Sequence, residues 1–418
     1  MSSNLKKYTL SDAAEVLTGF PFKGNKYSNE GIRVVRGENV TIGALRWDTV
    51  KCWNEPFKEL DKYSLAEGDI VIGMDGSRVG KNRAQIRKED LPLILAQRVA
   101  RLRAKYNFSQ DFLAYVVKSK LFEQYVDAIK TGTSIPHISP QQIKEFEFVA
   151  PEKQTQQRIA SILSSLDDAI ELNQQINKTL EEMAKAIFKE WFVDFNFPNA
   201  TGKFQETEIG KIPVGWKVAT FEDVFDADRG LSYKGAGLAE SDATPMHNLN
   251  SVLEGGGYKT VGIKYYNGEY KDKHIVNAGE VIVANTEQGH KYLLIGYPAI
   301  VPQFYGEHGI FSHHIYRLRP KPYCYLSPDF IYHLLLQQQV RDQVVGFANG
   351  TTVNMLKIEG LKKPKFAMPP KELAEKFGAI AQANRLQAEQ NIKENQSLMN
   401  LRDTLLPKLM KGEININL

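Results

Sequence analysis

The chain has 418 residues, of which 42% are hydrophobic and 24% are charged. This length is sufficient for two or three domains with buried cores, and the composition is typical of a globular protein. The net charge of only +4 permits an anionic partner but excludes the general basicity of a histone-like DNA binder.

The two cysteines, Cys52 and Cys324, lie far apart in the sequence and outside any His/Cys ligand spacing. A disulfide framework and a zinc knuckle are therefore not predicted, and no metal site is expected. No run approaches the roughly 18 apolar residues that a membrane span requires, and the first residues have no apolar signal core. These observations predict a cytoplasmic protein.

In chain order, the predicted elements form two α+β domains, each followed by one long helix. Residues 1–150 combine short β-branched segments, such as "IRVVRG" and "DIVIG", with glycine-rich turns and a helical stretch that begins at "SQDF". A helix without internal proline or glycine is predicted within 151–195, and "NFPNATGKF" opens a polar linker at 196–212. A second α+β domain is predicted at 213–367 and a second long helix at 368–418.

The chain contains one long internal repeat. "TGTSIPHISPQQIKEFEFVAP" (131–151) aligns with "NGTTVNMLKIEGLKKPKFAMP" (349–369) at an offset of 218, and "SQDF" aligns with "SPDF" at the same offset. Further upstream, "GDIVIG" aligns with "GEVIVA" and "GFPFKG" with "GLSYKG", both at an offset of 211. A period above 200 residues is too long for a solenoid unit, so the sequence predicts duplication of a domain together with its helix.

The first long helix carries a heptad pattern. Counting by sevens from Ile159 gives a mostly apolar row interrupted by Asn173, and the second helix gives a weaker row from Phe377 with Asn391 at its centre. This predicts a coiled coil of the two helices. If the two copies are related by a pseudo-two-fold axis, the helices run antiparallel and Asn173 faces Asn391 as the pair that sets the register. The alternative is that each helix packs against its own domain, which requires a broader apolar stripe.

Between residues 78 and 103 there are eight basic residues and two acidic ones. Such a patch can neutralise phosphates, although a run of charges is commonly only a solvated face. The corresponding part of the second repeat replaces much of this charge with histidine and aromatic residues. A molecule with two similar but non-identical halves suits a DNA target with two half-sites, and the two domains are expected to read different sequences.

The duplicated layout, the "TGTSIPHI"-type close of each α+β domain, the helix behind it and the bridge "EIGKIPVGWKVATFEDV" (208–224) resemble the specificity subunit of Type I restriction-modification enzymes. The resemblance covers essentially the full chain. It implies two pseudo-symmetric α+β target-recognition domains joined by two long antiparallel helices that form a coiled coil. One departure is that the first repeat has no "IPxGW" lead-in, so the first domain is expected to begin near Lys6.

The resemblance further implies a non-catalytic subunit whose two domains read the halves of an asymmetric, bipartite site in double-stranded DNA. The implied partners are two adenine-N6 methyltransferase (modification) subunits, which dock on the helices, and restriction/translocase subunits. S-adenosylmethionine, ATP and Mg are expected on these partner subunits, and no cofactor is expected on this chain.

Other classes of function stay open on the residues alone. As an enzyme, the chain lacks an Asn/Asp-Pro-Pro-aromatic tetrapeptide, and "DGSRVGKN" (75–82) lacks the spacing of a phosphate-binding loop. As a scaffold or spacer, it would only hold two protein-binding domains apart, which leaves the basic patch unexplained. His313 and His314 do not predict a metal site, because adjacent side chains on a strand point to opposite faces.

The candidate DNA-contacting residues lie in three loops of each domain. Glycine-flanked turns carry cations, further loops carry side chains that can pair with base edges, and the "GTS" and "GTT" segments carry hydroxyls that can bond phosphates or cap a helix. The predicted contacts are Lys23, Arg78, Lys81, Arg83, Arg98, Thr133 and Ser134 in the first domain and Lys234, Gln288, His290, Lys291, His313, His314, Thr351 and Thr352 in the second. No catalytic residue is predicted.

Overall fold

A computed structural model describes residues 5–56, 58–132, 134–289, 291–350 and 353–414. The chain divides into two compact units, Met1–Ile170 with Gln396–Leu418 and Glu171–Asn395. Each unit therefore holds one α+β domain and a part of each long helix. No helix within the described ranges is both long enough and apolar enough to cross a membrane.

The first domain and its helix occupy the chain up to the middle of the sequence. The strands are β1 (Lys6–Thr9), β2 (Ala14–Thr18), β3 (Ile32–Val35), β4 (Cys52–Trp53), β5 (Ile70–Gly73), β6 (Arg83–Gln85), β7 (Leu93–Leu95), β8 (Val99–Ala104) and β9 (Glu147–Ala150). The helices are α1 (Leu10–Ala13), α2 (Leu60–Tyr63), α3 (Gln110–Lys118), α4 (Lys120–Ile129), α5 (Pro140–Lys144) and the long α6 (Lys153–Phe188), which continues as a π-helical turn at Lys189–Val193.

The second domain and its helix contain counterparts of these elements together with additional strands. The strands are β10 (Phe204–Thr207), β11 (Gly210–Pro213), β12 (Lys217–Thr220), β13 (Phe225–Arg229), β14 (Leu238–Ala239), β15 (Thr244–His247), β16 (Lys264–Tyr266), β17 (Ile275–Asn277), β18 (Val281–Ala284), β19 (Thr286–Gln288), β20 (Pro298–Ile300), β21 (His308–Phe311), β22 (Ile315–Pro320), β23 (Ala348–Asn349), β24 (Val353–Leu356) and β25 (Lys365–Met368). The helices are α7 (Phe221–Val224), α8 (Pro328–Leu335), α9 (Gln338–Val345) and the long α10 (Lys371–Met410).

The two domains share a central strand topology. Strands β2, β8, β5 and β6 form one antiparallel sheet in that order, and β13, β22, β18 and β20 form its counterpart. A parallel strand pair recurs in the adjoining sheet, as β3 with β7 and as β15 with β21. Each domain is closed by antiparallel pairing of an early and a late strand, β1 with β9 and β12 with β25. The predicted duplication is thus confirmed by the topology.

The aligned motifs "SQDF" and "SPDF" are the starts of equivalent helices. The Ser109 hydroxyl accepts a hydrogen bond from the Phe112 N–H at 3.3 Å, and the Ser327 hydroxyl accepts one from the Phe330 N–H at 3.1 Å. Such a cap satisfies a backbone donor that has no partner within the helix. Both phenylalanines are buried, so each motif starts a helix and anchors it in the core.

Each long helix packs against domain cores as well as against the other helix. In the first unit, Ile159 and Leu163 of α6 join Leu406 and Leu409 of α10 in the core beneath α3. In the second unit, a core cluster brings the end of α6 together with the start of α10 and with α8. Packing of the two helices against each other and packing of each helix against a domain core therefore occur together, because the same apolar stripes make both contacts.

The helices run antiparallel, as predicted. Contacts of α6 with α10 in the second unit join Asn173 to Asn395, Asn177 to Asn391 and Leu180 to Asn384. In the first unit, Arg402 Nη1 donates to Asp167 Oδ1 at 2.7 Å. Residue numbers rise along one helix as they fall along the other.

The predicted pairing of Asn173 with Asn391 is wrong by about one helical turn. Asn173 Nδ2 donates to Asn395 Oδ1 at 3.0 Å, and Asn391 Nδ2 donates to Asn177 Oδ1 at 2.8 Å. Pairing of Asn173 with Asn391 requires a single buried heptad row in α10, whereas Asn391 and Asn395 are both buried. The centre of the helix pair is therefore a ladder of amide hydrogen bonds, which penalises slipped registers at several levels.

The segment 196–212, predicted to be a polar linker, contains most of the β10–β11 hairpin and packs near Trp216. The rings of Phe195 and Phe197 each lie 5.4 Å from the ring of Trp216, centroid to centroid. Ile212 and Trp216 are buried. The "IGKIPVGW" motif is therefore a packed structural element, whose apolar residues the polar "NFPNATGKF" pattern did not indicate.

We expect Asp329→Ala to destabilise the second unit by about 3 kcal/mol, because it leaves a buried cation with one partner fewer. Asp329 is 2% exposed and accepts hydrogen bonds from Arg385 Nε at 2.8 Å and Nη2 at 3.3 Å. Burial alone would lower the pKa of Arg385, but its contacts with Asp329 and Glu389 raise it. Urea unfolding measures the loss of free energy.

The matched control for this prediction is Glu375→Ala. It removes an exposed ion-pair partner of Lys371 on α10, the helix that also carries Arg385. Exposed helical pairs contribute about 0.5 kcal/mol or less. Equal losses in the two variants would contradict the assigned role of the Asp329 ion pair.

Candidate nucleic-acid interface

In each domain a glycine packs closely against the turn that precedes a central strand. The glycine is Gly19 in the first domain, before β8, and Gly230 in the second, before β22. A Cβ atom at Gly19 or Gly230 would lie 2.2 or 2.4 Å from a backbone oxygen of that turn. The residues that follow these glycines form parallel bridges to the same turns. The predicted loops "GFPFKG" and "GLSYKG" are therefore held beside the turns at 96–98 and 312–314.

In the first domain, the loop after β5 lies beside residues 136–138, which follow "GTS" in the sequence. Gly76 N–H donates to the Pro136 carbonyl at 3.0 Å, and Ile138 N–H donates to the Met74 carbonyl at 2.9 Å. A further bridge joins Asp75 to this segment. The structure thus brings together loops that the sequence analysis selected separately.

The second domain repeats this arrangement with regular strands. Strand β19 pairs with β24, which places Gln288 opposite Val353. Leu356 N–H donates to the Asn285 carbonyl at 2.8 Å, which matches the Ile138 contact of the first domain. The base-edge loop and residues 353–356, which follow "GTT" in the sequence, therefore lie side by side here as well.

Several predicted contact residues are exposed at these loops. In the first domain they are Lys23, Arg78, Lys81, Arg98 and Ser134, and in the second domain they are Lys234, Gln288 and Lys291. Thr133, His290, Thr351 and Thr352 lie outside the described residues. The exposed side chains can reach an anionic ligand without rearrangement of the backbone.

Arg83 does not fit its predicted role as a DNA contact. Its side chain is 7% exposed, and its guanidinium donates to Glu123 Oε1 at 2.7 Å and to the Lys118 carbonyl at 2.9 Å. It also bonds the Gly80 carbonyl. This buried arginine holds the loop after β5 against the helices, so its function is structural.

The basic patch at 78–103 is likewise divided by ion pairs. Arg101 is buried beside Glu15, with 3.0 Å between Nη2 and Oε1, and Arg103 makes two hydrogen bonds to Asp69 at 2.7 and 2.8 Å. Arg319 repeats the second of these contacts by bonding Glu280 in the second domain. Only part of the charge run is therefore available to a phosphate.

His313 and His314 lie in the turn between β21 and β22, so the alternation of strand side chains does not apply to them. Their rings are 3.9 Å apart, and Thr286 Oγ1 lies 3.1 Å from His314 Nδ1. Burial lowers the pKa of His314, and the nearby charges of His313, Arg229 and Lys264 lower it further. A neutral ring is therefore favoured at His314 near neutral pH.

Three further residues of the second domain, not predicted from the sequence, lie at or beside these loops. Arg229 is exposed directly before Gly230, and Lys264 Nζ donates to the Tyr233 hydroxyl at 2.8 Å. Glu287 accepts hydrogen bonds from three successive backbone N–H groups at 293–295, at 2.8 to 3.1 Å. Arg229 could have been found from the sequence, because it directly precedes Gly230 of the aligned "GLSYKG" motif. The contacts of Glu287 depend on the folded loop and are not visible in the sequence.

The described residues contain no group of three or more His, Cys, Asp or Glu side chains that could hold a metal ion. The polar side chains at the loops include cations, amides and hydroxyls, together with the Asp75 carboxylate. Cations, amides and hydroxyls are side chains that can donate hydrogen bonds to phosphate oxygens and to base acceptors.

The chain contains two copies of one α+β domain, and each copy has converging polar loops and packs on the antiparallel helices. This arrangement is typical of a recognition protein with two similar binding domains. The chain belongs to a family of this class: the profile described as "Type I restriction modification DNA specificity domain" matches residues 2–182 and 213–393. The predicted family is thus confirmed, and both copies of the repeat carry the matched domain.

Relatives and solved structures agree with this assignment. The chain is 27% identical over 401 residues to the MjaIX specificity subunit of Methanocaldococcus jannaschii, covering 93% of this chain and 84% of that protein. It is 32% identical over 170 residues to the EcoAI specificity subunit of Escherichia coli, covering 40% of this chain and 29% of that protein. The fold is similar to the crystal structure of a Type I S subunit from M. genitalium, with a TM-score of 0.62 and 18% identity over 97% of this chain and 96% of that one. Since the family and the named relatives are specificity subunits, the chain is a non-catalytic subunit.

Proposed function

We propose that this chain is the sequence-reading subunit of a Type I restriction-modification complex, and that it recognises an asymmetric, bipartite site in double-stranded DNA. In this proposal residues 1–150 and 213–367 are the two target-recognition domains, and each reads one half-site. The alternative of a scaffold without DNA contacts has no support in the family assignment.

One observation carries the proposal. The same three loops converge in both domains, at equivalent ends of equivalent strands, but they present different side chains. Arg78, Lys81 and Arg98 occupy the loops of the first domain, whereas Gln288 and His314 occupy those of the second. Arginine favours guanine acceptors and glutamine favours adenine, so two different half-sites are expected.

The partners and cofactors follow from the same proposal. The long helices α6 and α10 are expected to dock two adenine-N6 methyltransferase subunits, with restriction/translocase subunits joining that core. S-adenosylmethionine, ATP and Mg would then be bound by the partners. Because the substrate is cellular DNA, the complex is expected in the cytoplasm.

Mapping methylated adenines across the genome of a host that produces this chain with its partners tests the proposal. We expect a motif with two defined halves separated by an unspecified spacer. A gel shift with the purified complex should retain a duplex that carries the motif and release one in which either half is scrambled. A continuous or perfectly palindromic motif would contradict the assignment of two different reading domains.

Arg78→Ala combined with Lys81→Ala is expected to weaken DNA binding, most strongly at low salt. Removing one cation that bonds a phosphate should reduce the slope of log affinity against log salt by about 1, and removing both should reduce it by about 2. Binding isotherms at several salt concentrations measure the slope.

Arg87→Ala combined with Lys88→Ala is the matched control. These two exposed cations follow β6, at the opposite end of the β5–β6 pair from the loop that carries Arg78. The control removes the same charge and should leave the slope nearly unchanged. If both double variants behave alike, the loop after β5 is not on the DNA-binding surface.

A further inference from the structure

One backbone contact identifies equivalent positions at the tips of the two domains. Met74 N–H donates to the Arg98 carbonyl at 2.9 Å in the first domain, and Asn285 N–H donates to the His314 carbonyl at 3.1 Å in the second. The internal repeat matches the same residues, since "GDIVIG" aligns with "GEVIVA" and "LAQRVARLR" with "FSHHIYRLR". Arg98 and His314 are therefore the same position in two copies of one fold.

The side chains of Arg98 and His314 each contact the side chain of the residue directly after the N–H donor, which is Asp75 in the first domain and Thr286 in the second. Arg98 Nη1 lies 3.4 Å from Asp75 Oδ2, and His314 Nδ1 lies 3.1 Å from Thr286 Oγ1. Gly37 leaves room for the Asp75 carboxylate, since a Cβ atom there would lie 3.0 Å from Asp75 Oδ1. The contact is thus retained in both copies, while its chemistry changes from an ion pair to a neutral hydrogen bond.

Stability does not explain the pair in the first domain. The Arg98 side chain is 63% exposed, and ion pairs in water contribute little to folding. Arg98 also has φ = 75°, in the left-handed region that glycine adopts at lower cost. A strained, exposed arginine beside the converging loops indicates a functional constraint.

We propose that residues 98 and 314 are equivalent base-reading positions, that Asp75 and Thr286 orient them, and that Arg98 reads a guanine in the half-site of the first domain. The inference rests on the proposed DNA-reading function. Arg98 keeps donors free beyond Asp75, and their fork matches guanine O6 and N7 in the major groove. His314 has one ring nitrogen bonded to Thr286, so it cannot make this bidentate contact.

The charge of Asp75 gives the proposal a distinctive consequence. A carboxylate on a DNA-facing surface is repelled by phosphates, so it lowers affinity for every sequence. If it orients Arg98, its removal should reduce base selectivity and at the same time raise binding to unrelated DNA. Loss of a merely structural residue would lower both.

The experiment uses the complex of this chain with its methyltransferase subunits and duplexes that carry every base at each position of the mapped motif. Arg98→Gly should lower discrimination at one guanine about tenfold or more, while thermal stability stays the same or rises because the strained backbone is relieved. Asp75→Asn should lower discrimination at the same guanine and strengthen binding to a duplex without the motif. The double variant Thr286→Asp with His314→Arg should introduce a guanine preference in the other half-site.

Arg87→Ala, which removes an exposed cation beyond β6, is the control and should leave base preference unchanged. The inference is overturned if Arg98→Gly leaves every position of the motif unchanged, or if Asp75→Asn weakens binding to all duplexes equally. A wild-type complex without any sequence preference would overturn the proposed function as well. A selective wild type with unaltered variants would overturn only the roles assigned to these residues.

Discussion

Replacing residues 221–364 with the equivalent segment of another family member is expected to change one half-site completely and leave the other unchanged. Strand β12 pairs with β25, from Lys217 opposite Met368 to Thr220 opposite Lys365, so the chain enters and leaves the second domain at neighbouring points. A graft between these strands keeps their pairing and both long helices. Mapping methylated adenines in cells that produce the chimaera measures the result.

The graft must preserve one packing requirement in order to fold. Phe330 lies in an aromatic cluster with Phe188 and Phe377, at centroid distances of 5.1 and 6.0 Å. The donor segment should therefore have an aromatic residue at the position of Phe330. The matched control is a graft of residues 10–146 between β1 and β9, which should exchange only the other half-site. A folded chimaera in which both halves change would contradict independent reading by the two domains.

The sequence was sufficient to predict the architecture because the repeat supplies its own comparison. "DIVIG" and "EVIVAN" contain β5 and β18, and "SQDF" and "SPDF" mark the starts of α3 and α8. Each of these features depends on local chemistry: β-branched residues in the strands and a serine cap on the helix. Alignment of two copies then separated the shared framework from the loops that differ.

The assignments that failed depend on long-range contacts. Arg83 belongs to a conspicuous run of charges, but its partner Glu123 is 40 residues away and becomes visible only in the fold. The pairing of Asn173 failed for a related reason: several asparagines lie in the weak heptad of α10, and counting from Phe377 could not tell which of them faces α6. Arg98 was selected for its charge, whereas its contact with Asp75 required the structure.

The two domains carry different side chains at a place where they share a backbone hydrogen bond. An ion pair joins Asp75 to Arg98, and a neutral hydrogen bond joins Thr286 to His314 at the equivalent place. The shared hydrogen bonds of the framework fix the loop ends, so side chains at the loop tips can change without disturbing the sheet. This separation explains how one fold can serve two different recognition sequences within a single chain.

Inserting seven residues after Ile170 in α6 and seven after Ser397 in α10 is expected to lengthen the DNA spacer while both half-sites stay the same. Seven helical residues add about 10 Å, which corresponds to at most about three base pairs if the added length follows the DNA axis. The insertions fall between the Asp167–Arg402 contact of the first unit and the Asn173–Asn395 contact of the second. Each unit therefore keeps its own hydrogen bonds. The spacer is read from the methylated motif of cells that produce the variant.

A single insertion after Ile170 provides the control, because it lengthens one helix and not its partner. The contacts on the two sides of the insertion then differ in register by seven residues, and one set must break. Loss of the Asn173–Asn395 and Asn177–Asn391 bonds removes one partner from each of the buried amides of Asn391 and Asn395, at about 1–3 kcal/mol for each group. We therefore expect the single insertion to lose methylation or stability, whereas the double insertion should methylate a motif with a longer spacer. A double variant that still methylates the original spacer would show that the helices do not set the distance between the half-sites.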